Sequence, residues 1–267
     1  MQSTMQEEAT VGEESTKTIP KISVIMPAFN VAGKIARTLR MTRDQLNGDP
    51  HPHEIIVVDD GSTDTTLREA SSLKDRCVTV VGYGRNHGKG YAVRYGSRLA
   101  SGDFVVLMDS DGNITPDLIQ RYIGALDEYD IAIASKWHPE SRVSAPVLRR
   151  FLSHAFHFLA VSLTGIRVSD TQCGFKAFRR EAFDRIISLL SVKQYAFDVE
   201  VLTVAKLLNL KVTELPVRMT LSSHFKFKKV IRMLVDLVGI TYRLHVIHWY
   251  QCNLRNQNAR YRPIIKW

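Results

Sequence analysis

Two aspartates separated by one residue follow an apolar run in the middle of the chain. Residues 104–108 lead directly into Asp109 and Asp111, and Asn113 follows two positions later. Neighbouring carboxylates repel each other, and the usual reason for a protein to keep them together is a bound cation. Carboxylate and amide oxygens are ligands suited to Mg²⁺ or Mn²⁺. The alternative is a turn in which Asp111 and Asn113 only cap the strand.

The run that carries these aspartates belongs to a regular series. Short β-branched runs cover residues 21–29, 53–59, 78–84 and 104–108. Segments with helical apolar spacing lie between them, for example residues 31–46 and 65–74. Strands that alternate with helices predict a parallel sheet with helices on both faces.

Each predicted strand ends in polar residues. In chain order they are Asn30 after Phe29, the pair Asp59 and Asp60, the pair Arg85 and Asn86, and the pair Asp109 and Asp111. In parallel sheets, ligands bind at the carboxyl ends of the strands, near a switch in strand order. The pattern therefore predicts one ligand site at this edge of the sheet.

Composition and cysteine usage exclude several classes of protein. The chain has 267 residues, 45% of them hydrophobic, which suits one large α/β domain or one domain with terminal extensions. Its three cysteines are widely separated and form no CxxC pair, which argues against a disulfide scaffold or a structural zinc site. Dinucleotide-binding and P-loop chemistry are disfavoured, because neither G-x-G-x-x-G after the first strand nor G-x-x-x-x-G-K-[ST] occurs.

Charge is distributed unevenly along the chain. Residues 1–18 hold four Glu and one Lys, a net charge of −3, and we interpret this polar stretch as a disordered tail. Residues 201–267 hold twelve Lys and Arg against two acidic residues, a net charge of +10. A basic end on a near-neutral body indicates an anionic partner such as a membrane surface, a nucleic acid or a phosphorylated substrate. A solvated basic face is the alternative.

Six longer motifs follow one another along the chain. They are MPAFN, IIVVDDGSTDTT, NHGKGYAVRYG, LMDSDGNITP, DTQCGFKAFRR and YAFDVEVL. In this order they resemble glycosyltransferases of family 2, above all the polyprenyl-phosphate branch with its dolichyl-phosphate mannosyl- and glucosyltransferases. DTQCGFKAF and YAFDVE are the motifs more specific to that branch, and they are closer to its glucosyl members.

The resemblance covers residues 22–229 and implies the GT-A fold. This is an α/β fold with a Rossmann-like, mainly parallel sheet flanked by helices, here with a C-terminal amphipathic helix. We accordingly predict a glycosyltransferase domain at 19–228 and a basic amphipathic extension at 229–267, which we expect at a membrane interface.

The resemblance implies that a nucleotide-sugar donor lies across the first four strand ends. Phe29 would pack near the base, with ordinary core packing as its alternative, and Asp59 and Asp60 would bind the base or ribose. UDP-glucose and GDP-mannose are both compatible with these residues. The other residues assigned to donor binding are Pro27, Asn30, Lys89, Ser110, Asp170, Gln172 and Glu200.

On the same grounds, Asp109 and Asp111, with Asn113, would hold Mg²⁺ or Mn²⁺ on the diphosphate. The metal would neutralise charge as the nucleoside diphosphate leaves. Lys89 would approach the diphosphate or only cap a helix. Many relatives carry a Glu just after the Asn of the first motif; residues 31–32 are Val and Ala here, so any contact of that Glu is absent or replaced.

The implied acceptor is a polyprenyl or dolichyl phosphate, and its phosphate needs cations rather than a general base. A phosphate monoester is already largely dianionic near pH 7, since its second pKa is about 6. The candidate cations are Lys136, Arg149, Arg150, Arg218 and Lys226, each with a solvated surface role as the alternative.

Four acidic or amide residues lie where the family builds its acceptor-side pocket: Asp170, Gln172, Asp198 and Glu200. Asp198 is the position of the general base in relatives that glycosylate hydroxyls; with a phosphate acceptor it would instead bind the sugar or orient a cation. Helix capping or a salt bridge is the alternative for Glu200. The residues assigned to catalysis are Asp111, Asp198, Lys136, Arg218 and Lys226.

Two apolar stretches bear on membrane attachment. Residues 151–166 are too short and too polar to favour a span of about twenty residues. Residues 229–250 carry Lys, Arg and Asp within an apolar helical pattern, which suits a helix lying in a membrane interface. A helix packed on the domain is the alternative. Longer relatives have transmembrane helices after the catalytic domain, whereas here we expect peripheral attachment to the cytosolic face of a membrane.

Two other classes of function remain open at this point. One is a soluble family 2 enzyme that glycosylates a sugar or protein hydroxyl, with Asp198 as its base. The other is a basic binding module without chemistry. A nucleic-acid partner is disfavoured, because no aromatic residues interleave with Lys and Arg in an RNA-reading pattern.

Overall fold

The computed structural model describes residues 19–221 and 227–260, and within them a seven-stranded sheet carries helices on both faces. The strands are β1 (Ile22–Ala28), β2 (His53–Asp59), β3 (Val78–Gly82), β4 (Phe104–Leu107), β5 (Ile131–Ser135), β6 (Arg142–Ser144), β7 (Lys176–Arg179), β8 (Val212–Pro216) and β9 (Arg218–Thr220). The helices are α1 (Ile35–Asn47), α2 (Thr66–Ser71), α3 (Lys89–Ser97), α4 (Ile119–Ala125), α5 (Val147–Thr164), α6 (Arg180–Ile187), α7 (Phe197–Leu207), α8 (Phe227–His245) and α9 (Trp249–Arg260). The tail predicted at residues 1–18 lies outside the described residues.

The sheet has the strand order β3-β2-β1-β4-β7-β5-β8. All neighbouring pairs are parallel except those of β7, which runs antiparallel to both β4 and β5. The predicted mainly parallel sheet is therefore confirmed. Because β1 pairs with β2 on one side and with β4 on the other, the strand order reverses at β1. The crevice for a ligand is expected outside the carboxyl ends of β1 and β4.

The sheet is buried on both faces by two separate apolar clusters. Along β1, Val24 and Met26 pack with α1, α2 and α4, whereas Ile25 packs on the other face with α3 and α7. All three side chains are fully buried. The continuous apolar strand sequences follow from this, since alternate residues of a doubly covered strand must all be apolar.

The C-terminal helices share the core of the domain. In α8, Leu237, Ile240 and Leu244 are buried in the same cluster as α7, together with Tyr250 of α9. The predicted helix is present as α8 and packs on the domain, as in the alternative weighed for it, while its other side exposes Val235 and Val238 beside Arg232. The short strands β6 and β9 form a separate parallel ribbon.

Candidate active site

A cleft of about 610 Å³ lies at the carboxyl ends of the strands. Thirteen of the residues nominated from the sequence line it: Pro27, Phe29, Asn30, Asp60, Lys89, Asp109, Ser110, Asp111, Asn113, Lys136, Arg149, Gln172 and Asp198. Five nominated residues within the described part do not: Asp59, Arg150, Asp170, Glu200 and Arg218. Lys226 lies outside the described residues. The topology thus brings the ends of β1, β2, β4 and β5 into one cavity.

Asp109 and Asp111 lie on the loop that follows β4. The backbone N–H and side-chain amide of Asn113 both donate to Asp111, the former at 3.0 Å, so the turn that was the alternative is present. Burial raises the pKa of the Asp111 carboxyl, and the neighbouring charge of Asp109 raises it further. The loop therefore turns tightly without removing the repulsion between its two carboxylates.

Gly174 explains part of the DTQCGF motif. A Cβ atom built on Gly174 would overlap the carboxylate of Asp109, so only glycine leaves room for that group. This residue was missed by the sequence analysis. Its signal was the motif itself, but its partner in space could not be identified without the fold.

Four charged side chains form a chain that begins at Asp109. Lys89 Nζ lies 3.0 Å from Asp109 Oδ1 and 3.0 Å from Asp198 Oδ2. The other oxygen of Asp198 accepts from Lys176 Nζ at 2.6 Å. Lys176, which is 1% exposed, also donates to the carbonyl of Cys173 at 2.5 Å. Lys89, at the start of α3, thereby connects the aspartate loop with α7.

The two lysines decide the ionisation of Asp198. Burial alone would raise the pKa of this carboxyl, but the ammonium groups of Lys176 and Lys89 hold it below its ordinary value. Burial would likewise lower the pKa of Lys89, and the charges of Asp109 and Asp198 raise it instead. Lys176 was not nominated from the sequence; its signal was a lysine at the start of the apolar strand β7.

Asp60 is saturated by donors from the glycine-rich loop. It accepts hydrogen bonds from Tyr83 Oη at 2.9 Å, Asn86 Nδ2 at 2.8 Å, His87 N at 2.7 Å and Gly88 N at 2.8 Å. These bonds shape the loop that carries Lys89 at the N-terminus of α3. Gly88 has φ +99°, and a Cβ there would strike the carbonyl of residue 193.

Its neighbour Asp59 is satisfied only in part. Asp59 Oδ2 accepts from Ser62 N at 3.1 Å, whereas its buried Oδ1 has no hydrogen-bond partner among residues 19–221 and 227–260. A buried unpaired carboxylate oxygen is costly unless a ligand supplies a donor.

Asp170 orients Lys136 on the far side of the cleft. Asp170 Oδ1 lies 2.8 Å from Lys136 Nζ, and its other oxygen accepts from Lys136 N at 2.9 Å. Gln172 N donates to Asp170 Oδ1 at 3.0 Å. Burial would raise the pKa of Asp170, but Lys136 holds it below its ordinary value. Asp170 thus fixes a cation in the cleft without lining it.

Glu200 is fully buried below the cleft and ties α7 to its surroundings. It accepts from the backbone and hydroxyl of Ser191 at 3.0 and 2.8 Å, from Val192 N at 2.8 Å, and from Tyr250 Oη at 2.5 Å. Arg243 Nη2 lies 3.7 Å from it. These contacts are structural and connect α9 with α7, as in the alternative weighed for this residue.

Two observations concern binding of metals and membranes. Among the described residues, no group of three or more His, Cys, Asp and Glu side chains lies together, so Asp109 and Asp111 form a two-carboxylate set. Within the same part of the chain, every helix is too short or too polar to cross a bilayer.

Comparisons with known proteins agree with this geometry. Residues 23–187 match the model of the family described as "Glycosyl transferase family 2". The "Dolichyl-phosphate beta-glucosyltransferase" of Mus musculus is 34% identical over 221 residues, which are 75% of this chain and 67% of that protein. The protein of the same name from Dictyostelium discoideum is 29% identical over 252 residues, 85% of this chain and 76% of that protein.

A solved structure shows the same fold. Glucosyl-3-phosphoglycerate synthase from Mycobacterium tuberculosis in complex with Mn²⁺, UDP and glucosyl-3-phosphoglycerate has a TM-score of 0.66 and 21% identity, covering 90% of this chain and 85% of that one. The fold and the family expected from the motifs are thereby confirmed. With its matched region, its sheet and its cleft, the chain belongs to glycosyl transferase family 2 and is a glycosyltransferase.

Proposed function

We propose that this chain transfers glucose from a nucleotide sugar to a polyprenyl phosphate, with inversion at the anomeric carbon. The observation that carries the choice of acceptor is the state of Asp198. Both of its oxygens are held by ammonium groups, from Lys89 and Lys176. A hydroxyl acceptor needs a general base, and a carboxylate paired twice with lysine is a poor one. A phosphate acceptor is already an anion and needs none.

The donor half of the cleft suits a nucleoside diphosphate sugar. Phe29 is 39% exposed at the cleft wall, available for stacking with a base. Asp59 does not line the cleft, but a base or ribose that reaches its unpaired oxygen would satisfy it. The names of the curated relatives favour glucose as the sugar, and the solved structure with bound UDP favours UDP-glucose as the donor.

A divalent cation fits the residues present. Asp109 and Asp111 offer hard oxygen ligands, and burial together with the charge of Asp109 raises the pKa of Asp111. When bound, Mg²⁺ or Mn²⁺ would supply charge neutralisation for the leaving diphosphate. Lys89, already paired with Asp109, would assist by donating to the same diphosphate.

The acceptor phosphate would bind on the other side of the cleft. Lys136, which is paired with Asp170, and Arg149 are the cations that line this side. Leu152 and Phe156 of α5 and Met233 of α8 add apolar residues to the lining. The phosphate of the acceptor would bind at the two cations, and its isoprenoid tail would lie along the apolar lining.

A membrane surface is the partner we propose for the exposed faces of α5 and α8. On α5, Phe151 and Phe158 are 68% and 70% exposed, and on α8, Val235 and Val238 are 65% and 64% exposed. The two helices contact each other and both contribute to the cleft lining. A lipid-linked acceptor would reach the cleft from such a surface, which we assign to the cytosolic face of a membrane.

Formation of a lipid-linked product tests the proposal. The purified protein would be incubated with Mg²⁺ or Mn²⁺ and radiolabelled UDP-glucose or GDP-mannose in detergent. The acceptors would be polyprenyl phosphate and the matching polyprenol, which lacks the phosphate. We expect organic-phase label from UDP-glucose with polyprenyl phosphate only, and none with an Asp111→Ala variant.

Each departure from this result identifies the part that fails. Label from GDP-mannose instead would replace the sugar and keep the acceptor. Transfer to polyprenol or to a sugar hydroxyl would restore the hydroxyl acceptor with Asp198 as base. Donor hydrolysis dependent on Asp111, without transfer to either lipid, would reject the lipid acceptor.

A further inference from the structure

The ribbon formed by β6 and β9 presents four polar side chains on one face. Its parallel register pairs Arg142 with Arg218 and Ser144 with Thr220. All four are exposed, whereas the residues between them are half-buried. Because strand residues alternate between faces, the two guanidinium groups and the two hydroxyls point the same way.

The residues that the structure describes give the two arginines no acidic partner. Like charges directly opposite each other on neighbouring strands are destabilising. Across residues 19–221 and 227–260, neither Arg142 nor Arg218 forms an ion pair with an acidic side chain. A facing pair of cations with two hydroxyls beside it is the donor set that a phosphate group prefers.

The ribbon lines a groove of its own. The groove has a volume of about 730 Å³ and also includes Asn113 and Thr115 of the loop after β4. Met219 bridges to Ile114, and Thr220 N donates to the carbonyl of Asn113 at 3.4 Å. The groove therefore borders the aspartate loop, but its two arginines do not line the cleft that holds Lys136 and Arg149.

The position of the ribbon indicates the source of the anion. β6 ends at Ser144, and α5 begins at Val147. Val147 and Leu148 are 83% and 66% exposed, so the series of exposed apolar side chains on α5 begins directly after the ribbon. Cations beside exposed apolar side chains match the phosphate layer of a membrane, which lies next to its acyl chains.

We propose that Arg142 and Arg218, with Ser144 and Thr220, bind the phosphate of an anionic phospholipid headgroup. This site is separate from the acceptor phosphate site in the cleft. The inference rests on the proposed membrane association of α5 and α8, but not on the identity of the sugar or of the acceptor. Occupation of the groove would orient the cleft relative to the bilayer surface.

Vesicle binding by the full chain tests this site. The variant Arg142→Gln/Arg218→Gln would be compared with Arg68→Gln/Arg98→Gln, which removes two exposed arginines from α2 and from the end of α3. Affinity would be measured by cosedimentation with vesicles of phosphatidylcholine, with and without phosphatidylserine. We expect the ribbon variant to lose roughly thirty-fold in affinity, and for the anionic vesicles only. Each cation contributes about 1 kcal/mol near an anionic surface, and about 1.4 kcal/mol corresponds to a tenfold change in affinity.

The other outcomes overturn the proposal. Equal losses of vesicle affinity in the two variants would mean that net charge, and not the ribbon, determines binding. If the ribbon substitutions weaken binding of inorganic phosphate but leave vesicle binding unchanged, the groove binds a soluble anion and not a lipid. Absence of vesicle binding by wild type would also reject the lipid site. Transfer activity would be measured in parallel in detergent, so that failure of the proposed reaction can be distinguished from failure of the lipid site.

Discussion

Two carboxylate pairs end neighbouring regions of the sheet, and the fold treats them differently. At the end of β2, Asp60 receives four hydrogen bonds from the glycine-rich loop, and its neighbour Asp59 receives one. At the end of β4, the donors that Asp111 receives from the described residues are both from Asn113, and burial together with Asp109 raises its pKa. The first pair is mostly used to build a loop. In the second, Lys89 pairs with Asp109, yet burial and the charge of Asp109 still raise the pKa of Asp111, which is the condition expected of a cation site.

The largest effect is expected for Asp111→Asn. Transfer should fall by roughly 10³-fold at saturating metal, because one oxygen ligand for the charge that neutralises the diphosphate is lost. The free energy of unfolding in EDTA should not fall, since the substitution removes one of two repelling charges. Rate measurements and urea denaturation would check both parts. If Asp111→Asn left the transfer rate unchanged, or clearly lowered the free energy of unfolding in EDTA, the two carboxylate pairs would not differ in the way described.

Gly174→Ala should have the next largest effect. Its new methyl group would overlap the Asp109 carboxylate, so that group must move, and we expect a roughly 10²-fold fall in transfer from misplacement. The matched control is Gly124→Ala on α4, where no heavy atom lies within 4 Å of the added Cβ. That control should keep full activity and gain about 0.4–1 kcal/mol of stability. Equal kinetics for the two variants would contradict the packing argument.

Asp60→Asn and Asp59→Asn compare the members of the first pair. Asp60→Asn should lower the free energy of unfolding by about 2–4 kcal/mol, because an amide accepts fewer of the four donors and leaves buried N–H groups unpaired. Asp59→Asn should cost about 1 kcal/mol or less, since Asp59 accepts a single backbone donor. Urea denaturation at pH 7 measures both values. A larger loss at Asp59 would mean that the loop is held differently.

The smallest effect is a dependence on pH at Asp170, a carboxylate satisfied by a lysine. Burial would raise its pKa, but Lys136 lowers it, so the charged form stabilises the folded state above the ordinary pKa of about 3.9. That contribution is lost as the pH falls through the lowered pKa. The difference in Tm between wild type and Asp170→Asn should be constant from about pH 7 to pH 5 and narrow below about pH 4. A difference that widens in acid would reverse the assigned sign.

Much of the architecture could be predicted because its signals are local. The β-branched runs and the polar residues that end them can be recognised in short stretches of sequence. Parallel pairing then brings all these strand ends to one edge of the sheet. The predicted strand at 53–59 matches β2 (His53–Asp59). The partners of these residues were less accessible. Lys176 contacts Asp198, and Gly174 leaves room for Asp109, and neither relation has a signal in sequence spacing.

The amino-acid sequence alone was sufficient for the family motifs, the strand–helix alternation and the aspartates at the ends of β2 and β4. Each of these depends on residue type and near neighbours along the chain. The roles within the cleft depended on the folded chain. Asp59 and Asp60 are identical and adjacent, yet within the described part of the chain only the carboxylate of Asp60 accepts hydrogen bonds from residues 83–88. Whether a carboxylate is saturated, paired with lysine or left for a cation is set by donors that are distant in sequence and that only close packing brings within 3 Å.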